Sequence, residues 1–205
     1  MAQSAPPSDA PSDDPSSDDP GLPPASAAAS LSLHDWWQRK RGRRPMPSRD
    51  DLDPLELKPI LRSILVIGVE HAEFGRTLTF SCRLAGTEVD SRLGISVTGM
   101  TLDEAPLGAT RDSIRRQYEI AVRERRPVFC SHNMVVNGER YVEYDRMVVP
   151  LADEQGEVST LVAAVDFRCA YPVEHGRPPD CMRPAYCDRI DLCLAATAAC
   201  GSGRG

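Results

Sequence analysis

The chain has 205 residues, 26% of them charged, and a formal net charge of −6, which leaves room for one domain with tails. The charge is uneven: Asp9, Asp13, Asp14, Asp18 and Asp19 stand near the start with no Lys or Arg among them, so the rest is close to neutral. A near-neutral body gives no general electrostatic reason to bind nucleic acid, no apolar run approaches the roughly 18–20 residues that cross a bilayer, and the start lacks the basic and apolar regions of an export signal, so a cytoplasmic protein with no membrane partner is expected.

Residues 1–29 are Pro, Ser, Asp and Ala with almost no large apolar side chain. Ordering such a segment costs backbone entropy that no buried surface offsets, so it reads as a disordered acidic tail. The stretch 31–42 reads as a helix, with Ser32 as its cap and Asp35 three residues on. Leu33, Trp36 and Trp37 give it an apolar face that needs a partner surface. Adjacent residues on a helix point about 100° apart, so one tryptophan is expected on the sheet and the other against a second copy of the chain. That predicts a homodimer, with packing inside the single chain alone as the alternative reading. Arg39, Lys40, Arg41, Arg43 and Arg44 form a basic cluster at the helix end, where cations are favourable.

Pro45-Met46-Pro47-Ser48-Arg49 is extended by its prolines. Asp53-Pro54 reads as a helix start, with Leu55, Leu57, Ile60 and Leu61 as the apolar face. Ile64 to Glu70 is a strand by β-branched content. A turn containing Gly75 leads to a second strand over 77–84, where Leu78, Phe80, Cys82 and Leu84 alternate with Thr79, Ser81 and Arg83 and so share one face. Gly86 turns the chain, Thr87 is expected to cap a short helix holding Val89 and Leu93, and Gly94 is placed to end it.

From Thr110 the period is helical, with Ile114, Tyr118, Ala121 and Val122 on one face, Glu119 and Arg123 at a stabilising spacing, and Arg126-Pro127 as the stop. Three strand-like runs follow. Val128, Cys130, His132, Met134 and Val136 alternate with Phe129, Ser131, Asn133 and Val135. Asn137-Gly138 is a strong hairpin signal. Tyr141 to Leu151 is the return strand, and Ser159 to Phe167 the last. Two strands, short helices, then three strands predict an α+β fold: a five-stranded antiparallel sheet with helices gathered on one face and an N-terminal flanking helix.

That order is similar to the PAS fold. More closely, the chain resembles a bacterial family of stand-alone PAS proteins common in alphaproteobacteria. The residues that carry the resemblance are Trp37, then Pro45 to Arg49 with Asp53-Pro54, then Arg83-Leu84-Ala85-Gly86-Thr87, then Arg126-Pro127, then Tyr144 through Arg146 to Pro150-Leu151. They span 31–168, which leaves 1–29 and a cysteine-containing tail at 169–205 outside. The resemblance implies a sensory or signalling module that binds a small ligand or a signalling protein partner and has no chemistry of its own.

Little in the chain suggests catalysis. There is no G-x-S-x-G and no Gly-rich phosphate loop followed by Lys, and His34, His71, His132 and His175 are scattered without ligand spacing. Cys82-Arg83-Leu84 invites comparison with the flavin-bonding Asn-Cys-Arg-Phe-Leu-Gln of blue-light PAS domains. Ser81 precedes the cysteine here, and Cys82 lies on a strand, so a small apolar role is expected. The helix from Thr110 has no histidine for a haem. Cys181, Cys187, Cys193 and Cys200 are spaced too widely for zinc knuckles. No cofactor and no metal are therefore expected. Phe80, Cys82, Tyr118, Cys130, His132 and Met134 are the candidate pocket residues. Arg83 and Arg146 are each read as a partner for a ligand carboxylate, as a structural ion pair with Asp90 or Asp145, or as simply facing water. Two further readings stay open: an adaptor with a filled core and no ligand, and a small enzyme on the same scaffold.

Overall fold

The computed structural model describes residues 27–71, 77–136 and 140–172. Residues 1–26 of the acidic N-terminal segment, Asn137-Gly138 and the four tail cysteines lie outside the described residues. Ala27, Ala28 and Ala29, expected in the disordered tail, instead stand at the start of a helix, with Ala27 and Ala29 buried. Eight regular elements stand in chain order: helix α1 (Ala28–Arg41), strands β1 (Ile64–His71) and β2 (Leu78–Ala85), helices α2 (Thr87–Leu93) and α3 (Arg111–Glu124), and strands β3 (Val128–Val136), β4 (Arg140–Ala152) and β5 (Val158–Pro172). The five strands form one sheet in the order β2-β1-β5-β4-β3, and every neighbouring pair is antiparallel.

The sheet has two covered faces. Because side chains alternate along a strand, Val165 and Phe167 of β5 point to one face, beneath α2 and α3, and Asp166 points to the other. There Asp166 meets α1. Its carboxylate accepts hydrogen bonds from the backbone N–H of Ala29 and Ser30, at 2.8 and 2.9 Å. The first N–H groups of a helix have no partner within the helix, and a carboxylate suits the positive end of its dipole. The expected cap, Ser32, is instead inside the helix and donates to the Ala28 carbonyl at 2.8 Å. The helix begins three residues earlier than expected because its cap comes from the last strand.

Both tryptophans are consumed within the single chain. Trp36 and Trp37 are 1% and 3% exposed, and Trp37 Nε1 donates to the Pro150 carbonyl of β4 at 2.8 Å. This corrects the dimer argument, which required one of them to stay uncovered. Packing of α1 along β4 and β5 buries both ring systems together with Leu33. Part of the basic cluster is paired, Lys40 with Glu56 and Arg44 with Asp51, both at 2.7 Å.

Asp53-Pro54 does not start an α-helix. Asp53 Oδ1 accepts from the Leu55 N–H at 2.8 Å, closing a local turn, and a 3₁₀ helix follows over Lys58–Ser63. Leu55 is 77% exposed, whereas Leu57 and Ile60 are buried. In β2, the register against β1 shifts between Val66 and Ile67, so that Cys82 faces Ile67, Leu84 faces Val66, and Arg83 is the extra residue. Such a bulge breaks the alternation. Leu84 is therefore turned outward, 46% exposed, where strict alternation placed it with the core.

Candidate functional site

The site lies between the sheet and the helical layer. Phe80, at 1% exposure, packs on Tyr118 of α3 with ring centroids 5.2 Å apart. Around them Leu65, Ile67, Val165 and Phe167 rise from the sheet, Val89 and Leu93 come from α2, and Ile114 from α3. The remaining wall is the segment 97–107, to which the sequence reading gave no element. It runs along the free edge of β2: Cys82 N–H donates to Met100, Gly99 N–H to Cys82, and Leu102 N–H to Phe80, each at 2.8 Å. These bonds satisfy backbone groups that an edge strand otherwise leaves open. They also hold Met100, Thr101 and Leu102 against a cavity of about 70 Å³.

Of the residues expected to form a pocket, Phe80, Cys82, Tyr118 and Met134 border the cavity. Cys130 and His132 are buried on the same face of β3 but are not among the bordering residues. Arg83 is exposed and pairs with Glu70 at 3.0 Å, away from Asp90. Asp145 lies on the opposite face from Arg146. It accepts from Ser131 at 2.6 Å and pairs with Arg168 at 3.3 Å.

Arg146 is the polar centre of the cavity wall and is 3% exposed. Nε donates to Gln117 Oε1 at 2.9 Å, Nη2 donates to the same oxygen, and Nη1 donates to the Tyr118 hydroxyl at 3.3 Å. The guanidinium carbon lies 4.9 Å from the Tyr118 ring centroid and 6.0 Å from that of Tyr144, favourable cation–π geometry. Gln117, itself 1% exposed, is fixed by its amide nitrogen, which donates to the carbonyls of Val128 and Arg146 at 3.3 Å. The Gln117 oxygen also meets His132 Nε2 at 3.2 Å. An amide oxygen has no hydrogen to give, so that imidazole nitrogen is the donor.

The electrostatics follow from burial. His132 is held well below its usual pKa of 6.5, first by loss of water and then by the nearby Arg146 charge, so its ring is neutral. Tyr144 is pushed up to about 12, chiefly by burial, and Tyr118 is raised for the same reason. Cys82 is pushed up to about 11, again by burial first, so its thiol is protonated near neutral pH and weakly nucleophilic. Among the described residues, no group of three His, Cys, Asp or Glu comes together that could hold a metal ion, and no helix is long and apolar enough to cross a membrane.

Sheet order, helical layer and cavity together make a recognisable architecture, and the profile of the family described as PAS domain matches residues 25–165. The chain belongs to the PAS domain family. No curated protein matches it at a significant level. Among solved structures, this PAS domain is similar to a LOV protein from Rhodobacter sphaeroides (9% identity, 57% of this chain and 69% of that one, TM-score 0.42). It is also similar to the PAS domain of BvgS from Bordetella pertussis (20% identity, 55% and 84%, TM-score 0.33) and to a sensory box sensor histidine kinase from Vibrio cholerae (16% identity, 59% and 87%, TM-score 0.35).

Sequence reading missed Gln117 and Tyr144 as members of the site. For Gln117 a signal existed: it falls three residues after Ile114 and four before Ala121 and so sits on the apolar face of its helix. A polar residue there needs a buried partner.

Proposed function

We propose that this PAS domain is a sensory or regulatory module whose cavity holds a small molecule, with no catalysis of its own. The observation that carries this reading is an apolar cavity of about 70 Å³ inside the core, bordered by one buried guanidinium. Natural interiors close-pack, and voids larger than a water are few. The size argues for a small occupant. An engineered apolar cavity of about 150 Å³ takes benzene, so a volume of about 70 Å³ supports an occupant smaller than a tricyclic flavin. Among the described residues, the one cysteine bordering the cavity is Cys82, whose protonated thiol and neighbours do not match the flavin-bonding motif. His132 is not among the bordering residues and is committed to Gln117, so the residues do not fit a haem either. Freshly purified protein is expected to show neither flavin nor Soret absorbance.

The adaptor reading expects a filled core and no ligand, which a cavity of about 70 Å³ speaks against. The outer sheet face that a protein partner could use is occupied by α1 of the same chain through Trp36, Trp37 and Leu33. The test is thermal melting of the full chain against a panel of small organic molecules, run beside Ala105→Leu, which adds bulk at the cavity wall. Compounds that raise the wild-type melting temperature and fail to raise that of the variant support a ligand site. If no compound acts on the wild type and Ala105→Leu melts higher than the wild type, the void is a packing defect and the adaptor reading replaces this one.

A further inference from the structure

Resting on the cavity as a ligand site, we infer that its ligand is a small aliphatic monocarboxylate, bound end-on by Arg146 with the Tyr118 hydroxyl as a second donor. Three observations point there. First, the described residues bordering the cavity include Arg146 and no Asp, Glu, Lys or His. A buried cation is costly unless an anion or dense hydrogen bonding compensates it, and no carboxylate pairs with Arg146 among the described residues. Gln117 and two aromatic faces supply only partial, neutral compensation.

Second, the donor count leaves a defined vacancy in hydrogen bonding. A guanidinium carries five N–H groups. The Gln117 oxygen takes one from Nε and one from Nη2, and Tyr118 takes one from Nη1. One N–H on each terminal nitrogen is left without a partner among the described residues. These two spare N–H groups, one on each terminal nitrogen, offer charged donors to the two oxygens of a planar carboxylate. The Tyr118 hydroxyl accepts from Nη1, so its own hydrogen is available to a ligand oxygen, and burial keeps it protonated.

Third, the remaining surface selects the body of the ligand. Leu65, Ile67, Val89, Leu107, Ile114 and Val165 offer it alkyl contact and no further charge. A phosphate or a dicarboxylate brings a second charge and more oxygens than these donors can satisfy, and unpaired buried polar groups are penalised. A single carboxylate on a short alkyl chain satisfies the donors and fills the apolar remainder.

The experiment is calorimetric titration of the full chain with straight-chain monocarboxylates from acetate to octanoate, each beside the primary amide of equal length, with succinate and inorganic phosphate as further probes. The expected result is a best-fitting chain length at which the carboxylate binds at least about tenfold more tightly than its amide, in line with the strength of charge-assisted bonds. Arg146→Met, close in length and apolar, is expected to remove that preference while still binding the amide. Should that variant fail to fold, Tyr118→Phe is expected to weaken the carboxylate about fivefold and the amide less. Equal binding of acid and amide by the wild type, or tighter binding of phosphate or succinate, overturns the monocarboxylate assignment and leaves the ligand site standing. Binding of none of these probes overturns the assignment too. The melting panel with Ala105→Leu then decides separately whether the cavity takes any ligand.

Discussion

His132 shows how far burial can redirect one side chain. It alternates correctly onto the core face of β3, yet it donates to Gln117 instead of facing the cavity. Its folded-state pKa lies well below 6.5 because water is excluded and the Arg146 cation is near. The sign of the pH effect follows. Below about pH 6.5 the unfolded chain takes up a proton at this position and the folded chain does not. Stability is therefore fully present above that pH and is lost progressively as the pH falls toward the folded value. Urea unfolding between pH 7.5 and about 5 should show this slope, and His132→Asn should flatten it. Glu104, whose carboxyl is lowered by its bonds to Thr101, acts in a separate window below its usual 4.5. An unchanged slope in the variant would assign the acid sensitivity to other groups. Arg146 and Gln117 are coupled to the same imidazole, so the local geometry of the site and its acid stability rest on one set of bonds.

At the scale of elements, the turn into α2 gives a sharp test. Gly86 has φ −68° and ψ 150°, an extended backbone open to any residue. Its importance is close approach. A Cβ there would collide with the backbone carbonyls of Arg62 and Leu61 at the end of the 3₁₀ helix, and Gly86 N–H donates to the Ile64 carbonyl at 2.7 Å. Gly86→Ala should destabilise the protein by about 3 kcal/mol, the upper part of the usual overpacking range because backbone must move. Equilibrium denaturation measures it, and a loss under about 1 kcal/mol would show that the turn relaxes freely. The sequence showed a glycine at a strand-to-helix junction, and the reason it must be glycine lies in a segment more than twenty residues earlier. The same distinction divides the whole fold. β-branched content located β1, alternation located β3, β4 and β5, and helical spacing located α3, because those signals are local. The outward turn of Leu84 was hidden because the β2 bulge is set by pairing with β1. The cap of α1 was hidden because Asp166 is remote in sequence. Of the cavity, Phe80, Cys82, Tyr118 and Met134 could be read from the faces of their elements. The Arg146–Gln117 contact could not, since it joins a strand and a helix whose relative placement no local pattern encodes.

Across the whole molecule, β5 joins the cavity to the flanking helix. Val165 and Phe167 border the cavity from one face of the sheet, and the residue between them, Asp166, holds the first turn of α1 on the other. A ligand that displaces the β5 backbone at either apolar side chain would also displace the cap, since Asp166 lies between them and a close-packed interior passes displacement on. Asp166 is half of the attachment, and the Trp37 bond to Pro150 near the other end of the helix is the second. On the proposed sensory reading, this arrangement would carry a signal to α1 within one chain. Loss of a helix cap costs about 1 kcal/mol, which is about fivefold in a local opening equilibrium. Hydrogen exchange should therefore show the first turn of α1 opening about fivefold more readily in Asp166→Ala, with β4 and β5 still protected. A compound that raises the melting temperature of the wild type should also alter exchange in that turn, and in Asp166→Ala the alteration should disappear although the compound still binds. If the variant responds at α1 as strongly as the wild type does, Asp166 is a cap alone, and the cavity and the helix are coupled by another path or by none.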